Sequence, residues 1–129
     1  MWIPVGLIVA VALVYSVGRG CAVLEPLFRS DRHMARDQAM TDIANIESGL
    51  EQFRKDTERY PSTAEGLGVL VTRPDNGDGW NGPYVMFVRD DPWGHPYVYR
   101  LMEDVRGYIL YSRGRDGIGG TSDDIPVQH

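Results

Sequence analysis

Apolar and polar positions divide the chain into segments with different periods. From Met1 to Gly18 no side chain is charged, and as a helix this stretch would cover roughly 27 Å, close to the thickness of a bilayer core. The pattern predicts a membrane-anchor helix over residues 1–24. Three other readings compete with it. A cleavable signal peptide wants a basic leading region, which is missing, and Gly18-Arg19-Gly20 before Cys21 is a poor cleavage site. A lipoprotein cleaved ahead of Cys21 would want an aliphatic residue where Gly18 stands, and a buried core helix would carry polar positions at a helical period.

The next segment has that period. Ala39, Ile43, Ile46, Leu50 and Phe53 recur at three- and four-residue steps, while Asp37, Asp42, Glu47, Glu51, Arg54 and Lys55 take the other faces. This predicts an amphipathic spine helix over about 32–56, with a kink at Pro26 between it and the anchor. Tyr60-Pro61 ends it, because a residue ahead of proline is pushed out of the helical region. Ser62-Thr63-Ala64-Glu65 has the form of a capping box and predicts a short helix over about 63–71, burying Leu67, Val69 and Leu70. Residues 73–82 (RPDNGDGWNG) suit only turns.

Three strand-like runs follow, at 84–88, 97–102 and 107–112, rich in Tyr, Val, Ile and Leu and separated by short breaks. They predict a three-stranded antiparallel meander. In Asp91-Pro92-Trp93-Gly94 proline and glycine occupy the second and fourth turn positions, so the segment reads as a reversal whose Trp93 packs on the sheet. The fold class is α+β: a long N-terminal helix on a small antiparallel sheet.

Composition narrows the function. The 129 residues make room for one domain. With 13 Lys+Arg against 18 Asp+Glu and no basic run, phosphate neutralisation cannot supply affinity, which excludes nucleic acid as a partner. A single Cys excludes an internal disulfide framework. Seven Tyr, three Trp and three Phe are too many for a disordered tail. Arg19, Arg29, Arg32 and Arg36 all follow the apolar run, and on charge alone this favours a cytoplasmic C-terminus.

The candidate chemistry sits near the C-terminus. Residues 113–124 (RGRDGIGGTSDD) combine four glycines with the carboxylates of Asp116, Asp123 and Asp124. Such a loop can wrap a hard cation in carboxylate and carbonyl oxygens. It lacks the acidic spacing and closing Glu of an EF-hand, and a solvated turn is the competing reading. Asp75-Asn76-Gly77-Asp78-Gly79 has two carboxylates and no distant acidic closer, and reads as a turn. His33, His95 and His129 are far apart, which argues against a histidine metal site, and neither Ser112 nor Cys21 has a base that the sequence points to. Nothing suggests an enzyme.

The order of the spine helix, the segment 56–67 (DTERYPSTAEGL), Gly82-Pro83-Tyr84, the segment 91–97 (DPWGHPY) and the segment 111–117 (YSRGRDG) closely resembles the major pseudopilins of type II secretion, the secretion protein G family, over roughly residues 33–125. The resemblance implies a pilin-like fold and a calcium ion in the C-terminal loop. Asp116, Asp123 and Asp124 would be the carboxylate ligands, since Asp-Asp follows Asp-Gly at the matching spacing. The backbone carbonyls of Arg113, Ile118 and Thr121 stand at the matching carbonyl positions.

The resemblance also implies a structural subunit that assembles with copies of itself and other pseudopilins on an inner-membrane secretion platform. It would be a single-pass protein in the lipid of the bacterial inner membrane with its C-terminal domain in the periplasm, opposite to the arginine count. The family pattern departs at the N-terminus: Pro4 stands where the mature chain would open on Phe, and Ile8 where a Glu belongs in the apolar helix. The alternative is a membrane-tethered envelope adaptor that keeps the pseudopilin head and forms no filament.

Overall fold

The computed structural model describes the backbone of residues 5–104 and 106–126 and the side chains of residues 30–104 and 106–125. The chain divides into two units, Met1–Met34 and Ala35–His129. A helix, α1, spans Val5–Thr57. The expected anchor at 1–24 and the expected kink at Pro26 fall on side chains outside the described residues. Among the described residues no helix is long and apolar enough to cross a membrane.

In the second unit α1 supplies the core. Ala39, Ile43, Ile46, Leu50 and Phe53, the five positions of the periodic stripe, are all buried. The helix stops where Glu58 takes a left-handed conformation (φ 60°) while its N–H still donates to the Arg54 carbonyl at 2.8 Å. Pro61 follows, fully buried.

The capping pair forms as read: Ser62 N–H donates to Glu65 Oε2 at 2.8 Å and Glu65 N–H to Ser62 Oγ at 3.1 Å. The helix after it is shorter and tighter than the predicted 63–71, a 3₁₀ helix over Gly66–Leu70. Gly66 has φ +65°, which no right-handed helix continues through, and a second glycine at 68 lowers the propensity further. Leu67, Val69 and Leu70 are buried as expected.

Two of the three predicted strands are present. β1 spans Val98–Met102 and β2 spans Gly107–Ser112, paired antiparallel with Val98 opposite Tyr111 and Met102 opposite Gly107. The run 84–88 is not a strand. Pro83 has no N–H, and the amides of Tyr84 and Val85 both turn to the Leu70 carbonyl, at 2.7 and 3.4 Å. Val85 lies on α1 at Gly49, where an added Cβ would come within 2.8 Å of its Cγ1. Packing on the helix therefore overrides the strand propensity of this run, and Met86 and Phe87 are left exposed. The strand that does flank β2 is the two-residue β3, Ile125–Pro126, antiparallel with Ser112 opposite Ile125.

The reversal at 91–94 is as read. Gly94 N–H donates to the Asp91 carbonyl at 2.9 Å, Gly94 has φ +87°, and Trp93 packs against the core. The observed architecture is a helix with an antiparallel sheet.

Candidate functional site

The pairing of Ser112 with Ile125 makes residues 113–124 a closed loop whose two ends are neighbours in the sheet. Two glycines give it its path. Gly114 (φ +65°) lies so close to the returning strand that a Cβ would come 2.1 Å from the Asp123 carbonyl oxygen. Gly117 (φ +69°) lies against the His95 ring, where an added Cβ would come 2.7 Å from Nε2.

Within the loop the carboxylates organise the backbone. Asp116 Oδ1 accepts from Ile118 N–H at 2.9 Å, and this bond, together with the Thr121 hydroxyl, holds its carboxyl below the usual Asp range. Asp124 Oδ2 accepts from Gly120 N–H at 2.6 Å, and Asp124 N–H donates to the Thr121 carbonyl at 3.2 Å. The Thr121 hydroxyl donates to the Ile118 carbonyl at 3.1 Å. Asp116, Asp123 and Asp124 thus share one loop. Among the described residues, however, no three His, Cys, Asp or Glu side chains converge into a ready-made metal cluster.

One observation fits a cation. Asp124 Oδ1 is buried without a hydrogen-bond partner. A buried carboxylate oxygen with nothing to accept from is costly, and a cation held by loop oxygens would satisfy it. The donor set is entirely oxygen, which suits a hard ion such as Ca²⁺.

Sequence reasoning missed the polar cluster beside this loop. Asp91 is buried, and its Oδ2 accepts from Ser112 Oγ at 2.6 Å, while His95 Nδ1 donates to the Gly114 carbonyl at 3.1 Å. The signal available was a polar residue, Ser112, at an inward position of an alternating strand. Although Ser, His and Asp meet here, Ser112 is fully buried and donates directly to Asp91, while the imidazole bonds the Gly114 carbonyl, so the three do not line up as a Ser-His-Asp relay. His33 is exposed on α1, and His129 lies outside the described residues.

A second polar group gathers on Asp42. Asp42 accepts from Gln38 Nε2 at 2.9 Å, Arg89 Nη2 at 3.0 Å and the Tyr97 hydroxyl at 3.0 Å. Burial opposes the charge on Asp42, yet these donors outweigh it and lower the carboxyl below its ordinary range.

Known proteins resemble this chain in sequence and in fold. The family model for type II secretion system (T2SS), protein G, matches residues 27–128. The type II secretion system core protein G of Pectobacterium carotovorum is 37% identical over 95 residues, covering 70% of this chain and 60% of its own length. That of Aeromonas hydrophila is 30% identical over 124 residues, covering 92% of this chain and 87% of its own. The chain therefore spans about 60% of the length of the Pectobacterium relative and most of the Aeromonas one. The crystal structure of the major pseudopilin from the type 2 secretion system of enterohaemorrhagic Escherichia coli superposes with a TM-score of 0.64 at 32% identity, covering 78% of this chain and 91% of that one. With its spine helix, its β1–β2 hairpin and its C-terminal loop all inside the matched region, the chain belongs to the protein G family of the type II secretion system.

Proposed function

We propose that the protein is a major pseudopilin, a structural subunit of a type II secretion or related pilus-like apparatus, and has no enzymatic role. The observation that carries this reading is the agreement of the head with a solved major pseudopilin over 91% of that chain at 32% identity. The subunit assembles with its own copies and with other pseudopilins on the inner-membrane platform. Residues 1–24 form a single-pass anchor in the lipid of the inner membrane, and the head faces the periplasm.

The C-terminal loop holds Ca²⁺. Asp116, Asp123 and Asp124 supply carboxylates, and Arg113, Ile118 and Thr121 supply backbone carbonyls. The ion contributes charge neutralisation: three carboxylates around one divalent cation leave one net negative charge, whereas without it their repulsion loosens the tail. Support comes from the partnerless Asp124 Oδ1 and from the loop's closed ends. A periplasmic head suits such a loop, because extracytoplasmic calcium is abundant enough to fill a weak site.

A second reading is favoured by one feature, Pro4 and Ile8 at the positions where the family carries Phe and Glu. It makes the protein a tethered envelope adaptor that forms no filament. Cross-linking of the full chain in its host membranes separates the two: ladders of self-linked subunits support the pseudopilin, and a folded head that never ladders supports the adaptor. A melt of the full chain in detergent, first in excess chelator and then with Ca²⁺ or Mg²⁺, tests the loop. A calcium-selective rise in Tm that is absent in the Asp123→Ala, Asp124→Ala variant is expected, since stabilisation follows ligand concentration over Kd. A melt indifferent to calcium would overturn the metal assignment. A reporter fused after His129 and active only in the cytoplasm would overturn the topology.

A further inference from the structure

We infer that Asp91, acting through Ser112 and His95, is a positioning unit that sets the C-terminal loop for its cation. The inference rests on the calcium reading above and concerns residues outside the loop's own oxygens.

The geometry converges on Gly114. The Asp91 side chain is fully buried, and both of its oxygens are engaged. Oδ1 accepts from the backbone N–H of Trp93 at 3.1 Å and of His95 at 2.9 Å, and Oδ2 accepts from Ser112 Oγ at 2.6 Å. Ser112 Oγ in turn accepts from Gly114 N–H at 3.0 Å. On the other side His95 Nδ1 donates to the Gly114 carbonyl at 3.1 Å and lies 3.7 Å from Asp91 Oδ1. Because a carbonyl can only accept, Nδ1 carries the ring proton. Both backbone groups of Gly114 are thus held by side chains tied to one buried carboxylate.

Gly114 is where the loop's two arms come together, at the Asp123 carbonyl, and it follows Arg113, whose own carbonyl is one of the proposed ligands. The His95 ring also packs on Gly117, the residue after Asp116. One imidazole therefore braces both glycine bends between which Asp116 sits. A turn at 91–94 requires only that an Asx oxygen take nearby N–H groups, which Oδ1 already does. The second oxygen reaches across 21 residues to Ser112, a bond the turn does not need but the loop does. Partners that orient groups around a metal act on affinity more than on the fold.

Calcium titration calorimetry on the full chain in detergent, paired with melting in excess chelator, tests this. His95→Leu is expected to weaken Ca²⁺ binding about tenfold or more, with its chelator melt close to wild type because the ring is partly exposed. His95→Asn, which restores a donor near Nδ1, should recover most of the affinity. Equal calcium affinity in wild type and His95→Leu would overturn the inference while leaving the calcium reading intact, and so would a His95→Leu variant whose chelator melt falls as far as its calcium melt. Wild type that takes up no calcium sinks both. If His95→Leu does not fold, Asp91→Asn carries the same comparison, since the amide keeps an acceptor for the turn and loses the charge that holds Ser112.

Discussion

Arg59 grips Glu65 with two parallel bonds, Nη1 to Oε2 at 2.7 Å and Nη2 to Oε1 at 2.9 Å, across the buried Pro61 that ends the spine helix. The fork matches the carboxylate in both geometry and charge.

A pH dependence follows from this pair. The Arg59 bonds, helped by Ser62, hold the Glu65 carboxyl down to about 2 from an ordinary 4.5. A depressed carboxyl adds stability that is complete above the ordinary value and is lost as pH falls through the folded one. At face value the shift is worth roughly 3 kcal/mol, and solvent screening at the half-open guanidinium brings the expectation to about 1–2 kcal/mol. Urea melts of wild type and Glu65→Gln should differ by that amount at neutral pH and converge between pH 4.5 and 2. A constant gap across this window would show that the pair is not the source of the difference.

Glycines at similar dihedral angles should differ in tolerance. Gly79 has φ +80°, and an added Cβ would lie 2.3 Å from the Asp56 carbonyl oxygen, whereas Gly94 has φ +87° and open space around it. Gly94→Ala should cost about 1–2 kcal/mol, the left-handed penalty alone. Gly79→Ala should cost about 3 kcal/mol or more, because backbone at the end of α1 has to move. Chemical denaturation of the two variants side by side measures the difference.

The stripe of α1 carries the core. Leu50 is fully buried, and Leu50→Ala should destabilise by about 2–5 kcal/mol. Met86 is 89% exposed, and Met86→Ser should stay within about 0.5 kcal/mol. A large effect at Met86 would mean that the segment 84–88 packs differently from the arrangement described.

Tyr97, Tyr99 and Tyr108 should resist ionisation. Burial is the main cause in each, and it pushes all three phenols well above their ordinary value of 10. Tyr97 also donates to Asp42, and Tyr99 donates to the Pro61 carbonyl at 2.7 Å. Alkaline titration by ultraviolet absorbance should show these three of the seven tyrosines ionising only as the chain unfolds. Seven superposed titrations near the ordinary value would contradict the packing.

Much of the head was legible because its signals are local. The stripe from Ala39 to Phe53, the stop at Tyr60-Pro61, the Ser62–Glu65 capping pair, the Asp91-Pro92-Trp93-Gly94 reversal and the span 107–112 each depend on residues within a turn or two of one another. The loop 113–124 was legible as a candidate cation site for the same reason, its glycines and carboxylates being contiguous.

Where the outcome depended on a distant competitor, the pattern misled. The run 84–88 has the composition of a strand, but the Leu70 carbonyl and the Gly49 notch on α1 claim its amides and side chains. The third strand is instead Ile125–Pro126, on the edge of β2 away from β1, and it is too short to carry a period. Nothing in the sequence tied Ser112 to Asp91 or His95 to Gly114, because hydrogen bonds across 21 and 19 residues leave no local spacing. Period and propensity act within a few residues, so the order of amino acids alone marked the spine helix, the two strands of the β1–β2 pair, the reversal between Asp91 and Gly94 and a contiguous run of candidate oxygen ligands. Which strand closes the sheet and which buried carboxylate braces the loop emerge only in the folded chain, where distant groups compete for the same donors and the same apolar surface.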